Sequence, residues 1–171
     1  VAISSLAMQL QAEGRDVIAL SAGEPLVASG AIEGTFRPAV AGSAEELVAG
    51  AEVILIALPA YGHKHVFDRI APHIKLSQTV IVSSHASFGA LYLSRLLATR
   101  KVAVPIVAWG TTLVSGRQTG PAKVQVNTIR QSVDLATVPA ARSAEGLALC
   151  KSLFGDRFVD RRSLLAIALS N

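Results

Sequence analysis

The sequence predicts an α/β domain with a doubly wound, mostly parallel sheet. Its most informative stretch is residues 51–60, AEVILIALPA, an apolar run that opens with Ala-Glu and closes with Pro-Ala. An apolar run without polar alternation is typical of a strand buried on both faces, as in parallel sheets covered by helices. Strand-like and helix-like segments also alternate along the chain, which indicates βαβ units. Ligands of such sheets bind just beyond the carboxyl ends of the strands, so we expect a crevice near Pro59 and Ala60.

Length and composition favour one domain with a large core. The chain has 171 residues, of which 51% are hydrophobic and 16% charged, with a net charge of +4. No apolar run reaches the roughly 18 residues that a membrane-spanning helix needs, so we expect no membrane contact. Lysines and arginines are scattered and aromatics are few, which argues against a nucleic-acid partner. The single cysteine, Cys150, predicts a buried, inert thiol and a reducing compartment, the cytoplasm.

The N-terminal part is predicted to alternate helices and strands around one irregular β segment. A helix over 5–14 ends at a glycine, and an apolar strand follows over 16–21. Glycine and proline punctuate the apolar residues of 28–40, which suits a short β excursion. A helix over 43–48 opens with Ser-Ala-Glu-Glu, a capping-box pattern, and leads into the strand 53–58.

The rest of the chain continues the alternation, with shorter connections later on. Those shorter connections predict some antiparallel strands at one edge of the sheet. The predicted elements are a loop at 61–65, a helix at 66–74, a strand at 79–82, a polar loop at 83–89, a helix at 90–99 and a strand at 104–108. Then come a segment at 111–114 that extends this strand or turns, strands at 123–129 and 133–138, a serine-capped helix at 143–153, an edge strand at 158–159 and a last helix at 164–169.

A standard element of dinucleotide-binding sheets is missing from the sequence. Such a sheet opens with a strand, the glycine loop G-x-G-x-x-G and a helix, whereas we expect this sequence to open inside that helix, and it contains no G-x-G-x-x-G. We therefore predict a Rossmann-type fold that lacks its first strand and glycine loop. Residues 1–163 would form the incomplete dinucleotide-binding domain, and 164–171 would start a helix leading to a substrate domain outside this sequence.

Five segments, in this order and across nearly the whole chain, carry a family resemblance. They are Gly30–Gly34, Ala51–Ala60 with the histidines His63 and His65 after it, Ser87–Leu91, Thr111–Leu113 with Gly116–Arg117, and Leu164–Asn171. Together they resemble the NAD-binding domain of the octopine/nopaline (opine) dehydrogenase family. Ketopantoate and glycerol-3-phosphate reductases share the apolar strand that ends in proline and stay an alternative, as does a non-catalytic NAD(P)-sensing module.

The resemblance implies an NAD- or NADP-dependent dehydrogenase acting on CH–NH bonds. In that reaction an amino acid and a 2-oxo acid form an imine, and hydride from the nicotinamide reduces the imine to a secondary amine. The family's catalytic histidine lies in or near the second domain, so no catalytic residue is named here and the fragment alone is expected to be inactive. The expected partners are these small molecules and, in a homodimer, a second copy of the chain.

Residues at the end of the strand 53–58 are the first candidates for cofactor contact. Leu58, Pro59 and Ala60 would offer backbone to the ribose or pyrophosphate region, although Pro59 could simply stop the strand. Tyr61 could lie against the adenosine half of the cofactor or be an exposed loop tyrosine.

The histidines are weaker candidates. His63 and His65 are spaced i, i+2, which makes no common helical face, and no cysteine or acidic cluster accompanies them, so the pattern argues against a metal pair. A surface loop is the favoured interpretation, with a cofactor phosphate as the alternative. His85 follows the strand 79–82 on the crevice side, where it could donate a proton or contact the cofactor or substrate, although an ordinary loop histidine is favoured.

Three further positions follow from the expected fold. Gly89 begins a helix, where a glycine permits close ligand approach or serves packing. Ser21 ends the second strand, where NAD-specific folds carry an acidic residue. A serine there favours NADP, or use of both NAD and NADP, as the cofactor. Asn171 would lie at the domain junction and contact substrate, or occupy an ordinary helix position.

Overall fold

The computed structural model describes residues 25–36, 39–84 and 88–169. Within these ranges the chain forms nine strands and five α-helices. The strands are β1 (Leu26–Gly30), β2 (Gly34–Phe36), β3 (Val53–Ile56), β4 (Thr79–Val82), β5 (Ile106–Trp109), β6 (Val114–Gly120), β7 (Lys123–Ile129), β8 (Val133–Val138) and β9 (Phe158–Asp160). The helices are α1 (Ala44–Ala49), α2 (Ala60–Ile70), α3 (Gly89–Thr99), α4 (Ser143–Phe154) and α5 (Leu164–Leu169). The predicted helix 5–14 and strand 16–21 lie outside the described residues.

The main sheet has five strands in the order β3-β4-β5-β8-β9. Parallel pairs join β3 to β4, β4 to β5 and β8 to β9, whereas β5 and β8 are antiparallel. The mostly parallel sheet and the antiparallel pair toward one edge are therefore confirmed. Because β8 runs opposite to β5, its first residues lie beside the carboxyl end of β5, at the edge of the sheet where β3 and β4 also end.

Helices cover both faces of this sheet, as the unbroken apolar strands require. Helices α2 and α3 pack on one face through buried residues such as Phe67 and Leu93, and on the other face Trp109 and Leu135 of the sheet cluster with Cys150 of α4. Fully burying a side chain of leucine or phenylalanine size contributes about 1.5–3 kcal/mol. These two apolar layers hold the sheet rigid beneath its carboxyl edge.

A second sheet of four strands, in the order β2-β1-β7-β6, accounts for the β excursion. The hairpin β1–β2 pairs antiparallel, and β1 runs parallel to β7, so this excursion is joined to the later hairpin β6–β7. The strand 123–129 is confirmed, but β6 was not predicted beyond residue 114. Its sequence, VSGRQTG, is polar and does not alternate, and backbone pairing with β7 makes it a strand.

Helix starts test the predicted caps. Ser43 Oγ accepts a hydrogen bond from the Glu46 amide at 3.1 Å, and the Glu46 carboxylate accepts from the Gly42 amide at 2.7 Å, so the capping function of this Ser-x-x-Glu pattern is confirmed. The predicted serine cap of the later helix is wrong: Ser143 is already inside α4, and its hydroxyl lies 3.4 Å from Asp160. Among the described helices, none is long and apolar enough to cross a membrane.

Candidate functional site

The site lies where the strands of the main sheet end. A cavity of about 860 Å³ opens there, between the carboxyl ends of β3, β4 and β5 and the second sheet. Its size falls in the range of small-molecule and cofactor sites. Its described lining is mostly apolar with a few hydroxyls: Ile32, Leu55, Ala57, Leu58, Pro59, Ser83, Ser84, Trp109, Thr112, Leu113, Val114, Ile129, Phe154 and Arg157.

The turn from β3 into α2 forms one wall. Leu58 and Pro59 both line the cavity, and Pro59 is the residue before the helix, with φ −60° and ψ 149°. Proline suits this position because its fixed φ and missing N–H cost nothing before the first turn. Ala60 and Tyr61 lie in that first turn and are not among the described lining residues; the Tyr61 side chain is 59% exposed.

The predicted loop at 61–65 is wrong, because α2 begins at Ala60. The polar, glycine-containing sequence YGHKH suggested a loop, but the helix buries one side of it. His63 is only 3% exposed and packs against Phe67, with the two ring centroids 5.3 Å apart. Tertiary packing therefore overrides the local signal, and the surface-loop interpretation of His63 is corrected.

His63 supports the β3–α2 turn that forms one wall of the crevice. Its Nε2 lies 3.1 Å from the carbonyl oxygen of Leu58, and its Nδ1 is buried without a hydrogen-bond partner among the described residues. Burial lowers the pKa of His63 below its ordinary value of 6.5, and the hydrogen bond to Leu58 opposes this shift. The imidazole is therefore neutral at pH 7, and the carbonyl contact assigns its proton to Nε2.

Gly89 begins α3 as predicted, and the reason for a glycine there is packing. A Cβ built on Gly89 would lie 2.7 Å from His63 Nδ1 and 3.2 Å from Phe67 Cε2. The residue before it, Phe88, has φ +57°, a left-handed conformation that ends the preceding loop. The absence of a side chain at Gly89 lets α2 and α3 approach beneath the crevice.

Several lining residues were missed by sequence reasoning. Ser83 and Ser84 directly follow β4, so the rule that selected Pro59 could have selected them as well. Thr112 follows β5 at the same distance as Pro59 follows β3, so the rule could have selected it too. Arg157 gave no such signal, because only the antiparallel course of β8 and its pairing with β9 bring it to this edge. The predicted residues Ser21, His85 and Asn171 lie outside the described residues.

The described histidines, cysteine and carboxylates form no group of three that could hold a metal ion. The partly buried His65 joins no such group within these ranges. The burial of Cys150 is confirmed: it is fully buried, Trp109 Nε1 donates to its sulfur at 3.4 Å, and burial raises the thiol pKa to about 11.

A doubly wound sheet with a cavity at its carboxyl edge defines the class of Rossmann-like nucleotide-binding domains. The chain belongs to the family described as NADP oxidoreductase, coenzyme F420-dependent, which matches residues 2–87. Its likeness to opine dehydrogenases is also direct: an opine dehydrogenase from Arthrobacter sp. (strain 1C) is 33% identical over 127 residues, covering 72% of this chain and 34% of the relative. The predicted family resemblance is confirmed.

Solved structures support the same fold at low sequence identity. Octopine dehydrogenase in complex with NADH and pyruvate matches with a TM-score of 0.75 at 18% identity, over 98% of this chain and 44% of that one. Yersinopine dehydrogenase with NADP+ bound matches with a TM-score of 0.65 at 20% identity, over 98% and 42% of the two chains. This chain thus spans less than half the length of these opine, octopine and yersinopine dehydrogenases.

Proposed function

We propose that this chain is the NAD(P)-binding portion of an opine-dehydrogenase-like oxidoreductase. The observation that carries the proposal is the 33% identity with an opine dehydrogenase over 72% of this chain. The cofactor-sized cavity at the carboxyl ends of the strands supports it. The reaction would join an amino acid to a 2-oxo acid as an imine and reduce it. NAD or NADP supplies the hydride when bound, and the protein supplies position and exclusion of water.

The described lining fits such a cofactor. Apolar walls from Leu58, Pro59 and Leu113 would take up flat rings, and the hydroxyls of Ser83 and Ser84 would meet ribose or amide groups. Backbone at Pro59 and Ala60 stays our candidate for the ribose–pyrophosphate region, with Tyr61 beside it. Ser21, His85 and Gly89 remain proposed cofactor contacts, and Asn171 a proposed substrate contact.

The same proposal covers the organisation of the protein. Residues 1–163 would be the dinucleotide-binding domain, and 164–171 the first turns of a helix leading to a substrate domain; α5 begins at Leu164 in agreement with that division. The free thiol of Cys150, the single cysteine, supports our proposal of a cytoplasmic location, because it fits a reducing compartment. Homodimer formation stays an untested prediction.

Turnover in the protein's full natural length tests the proposal. We expect NADH or NADPH to be oxidised only when a 2-oxo acid such as pyruvate and an amino acid are both present, with a secondary amine as product. Oxidation with ketopantoate alone would favour the reductase alternative. Cofactor binding without turnover of either kind of substrate would favour the sensing module and contradict the proposed activity.

A pair of serine variants links turnover to the cavity. Ser83→Leu fills the crevice from a position that is only 6% exposed, whereas Ser152→Leu adds the same volume on the exposed face of α4. We expect the first to raise the KM for the cofactor by about tenfold, since it displaces apolar and polar contacts worth about 1.4 kcal/mol. The second should leave the KM for the cofactor unchanged. Equal effects of the two variants would contradict the assignment of this cavity as the cofactor-binding site.

A further inference from the structure

Arg157 is the only charged residue among the described residues that line the cavity. All its neighbours in that lining are apolar or carry neutral hydroxyl or indole groups. A single cation in an uncharged, largely apolar wall attracts an anion more strongly than it would in open water, because the effective dielectric constant is lower. We therefore expect the cavity to favour a negatively charged ligand over a neutral or positively charged one.

The chain fixes the backbone of Arg157 at this edge. Strand β8 starts at the carboxyl end of β5, and β9 runs parallel to β8 with Val133 opposite Phe158. The Val133 amide donates to the Arg157 carbonyl at 2.8 Å, and the Arg157 amide donates to the Gly155 carbonyl at 2.8 Å. The residue before β9 is thus held at the crevice.

Hydrogen bonds also fix the Arg157 side chain, and they use only part of its N–H donors. Arg157 Nη1 donates to the carbonyl of Arg130 at 3.3 Å and to Oε1 of Gln131 at 2.9 Å. A guanidinium carries five N–H donors, so Nε and Nη2 keep three that have no recorded partner in the described part of the chain. Within the same ranges no carboxylate forms an ion pair with Arg157, since the recorded pairs use other lysines and arginines.

We propose that Arg157 binds an anionic oxygen pair of the ligand in this cavity, a carboxylate or a phosphate. The Nε and Nη2 edge of a guanidinium matches two such oxygens with parallel hydrogen bonds, a geometry that lysine does not offer. The identity of the ligand rests on the proposed function. The anion then has two sources, the carboxylate of the 2-oxo acid and the pyrophosphate of the cofactor.

Three variants of the full natural-length protein test the proposal. Arg157→Gln removes the charge and the fork, Arg157→Lys keeps the charge alone, and Arg95→Gln is the control, an exposed arginine on α3 that does not line the cavity. Each is compared with the parent in Kd for NADH and NADPH, KM for pyruvate and thermal midpoint. We expect Arg157→Gln to raise either the Kd for a cofactor or the KM for pyruvate by about 10- to 100-fold, the range for loss of a hydrogen bond to a charged group.

The pattern of effects identifies the source of the anion. A rise confined to KM for pyruvate assigns the carboxylate, and a rise in cofactor Kd assigns the pyrophosphate. Arg157→Lys should fall between Arg157→Gln and the parent; if Arg157→Gln fails to fold, the lysine variant alone decides. Ligand constants within twofold of the parent for each folded Arg157 variant would overturn the proposal and leave Arg157 as a clamp on the Arg130–Gln131 loop.

Failure of the proposed function gives a different result. If the parent binds cofactor without turnover, its cofactor Kd still tests Arg157; the remaining case is a parent that neither binds cofactor nor turns over pyruvate. In that case acetate and inorganic phosphate are titrated against the parent and Arg157→Gln, with Trp109 fluorescence as the readout, since Trp109 lines the same cavity. Saturable binding by the parent that is lost in the variant supports the anion site, and equal responses of the two proteins overturn it.

Discussion

The contact between Gly89 and His63 allows a sharp test of how the crevice is built. In Gly89→Ala the new Cβ would lie 2.7 Å from His63 Nδ1 and 3.2 Å from Phe67 Cε2. Both neighbours are buried, at 3% and 0% exposure, so neither can move into solvent. A shift of the His63 ring would weaken its hydrogen bond to the Leu58 carbonyl, which contributes about 1 kcal/mol.

The magnitude follows from two opposed effects. Overpacking of a well-filled site costs about 1–3 kcal/mol. Replacing glycine by alanine in a helix returns up to about 1 kcal/mol, and less at the first helical residue, where Gly89 stands. We therefore expect Gly89→Ala to lower the free energy of unfolding by about 1–2 kcal/mol, measured by urea denaturation.

Two controls separate the clash from a general effect of alanine. Gly50→Ala is the matched control, because a Cβ there meets nothing within 4 Å; it should be neutral within about 0.5 kcal/mol. In a His63→Ala background the clash is relieved, so Gly89→Ala should cost at least about 1 kcal/mol less there than in the parent. A Gly89→Ala protein as stable as Gly50→Ala, or a cost unchanged by His63→Ala, would refute the reasoning.

Three further predictions concern buried groups. Because the pKa of His63 is lowered in the folded state, the unfolded chain takes up the proton first as the pH falls. The free energy of unfolding should therefore be full above pH 6.5, fall as the pH drops below it, and fall less in His63→Gln. Equal pH dependence in both proteins would contradict this. Cys150, with its pKa raised to about 11, should react with a thiol reagent only after denaturation, so rapid stoichiometric labelling of the native protein would contradict the packing. Gly146→Ala would put a Cβ 2.5 Å from Thr137 Oγ1 and 2.9 Å from Val107 Cγ2, so it should lower the urea midpoint by the equivalent of about 2–3 kcal/mol, and a change below about 0.5 kcal/mol would mean that α4 can shift away from the sheet.

The sequence predicts what is encoded locally and misses what is set by long-range pairing. The apolar run 51–60 was enough to predict β3 and the crevice beside Pro59, because a strand buried on both faces leaves an uninterrupted apolar signal in the sequence. Strand β6 left none, since its polar residues are held by backbone pairing alone. Arg157 could not have been assigned to the crevice without knowing that β8 turns back along β5.

The start of α2 illustrates a different limit. The sequence after Pro59 contains a glycine and two histidines, which favour a loop locally. The helix forms because His63, Val66 and Phe67 share one buried side against the sheet and α3. That burial depends on a partner helix whose first residue must lack a side chain, a relation between Gly89 and His63 that local patterns do not carry.

Cofactor binding followed by Trp109 fluorescence tests the central claim most directly. Trp109 is the single tryptophan, is 2% exposed and lines the cavity, so its emission reports on a ligand there. Titrated with NADH and NADPH in its full natural length, the protein should show saturable quenching by at least one of them, with a Kd in the range of ordinary enzyme KM values, about 10⁻⁶–10⁻³ M. No quenching by either cofactor at about 1 mM, the upper end of that range, from a protein that unfolds cooperatively, would contradict the assignment of this cavity to NAD(P).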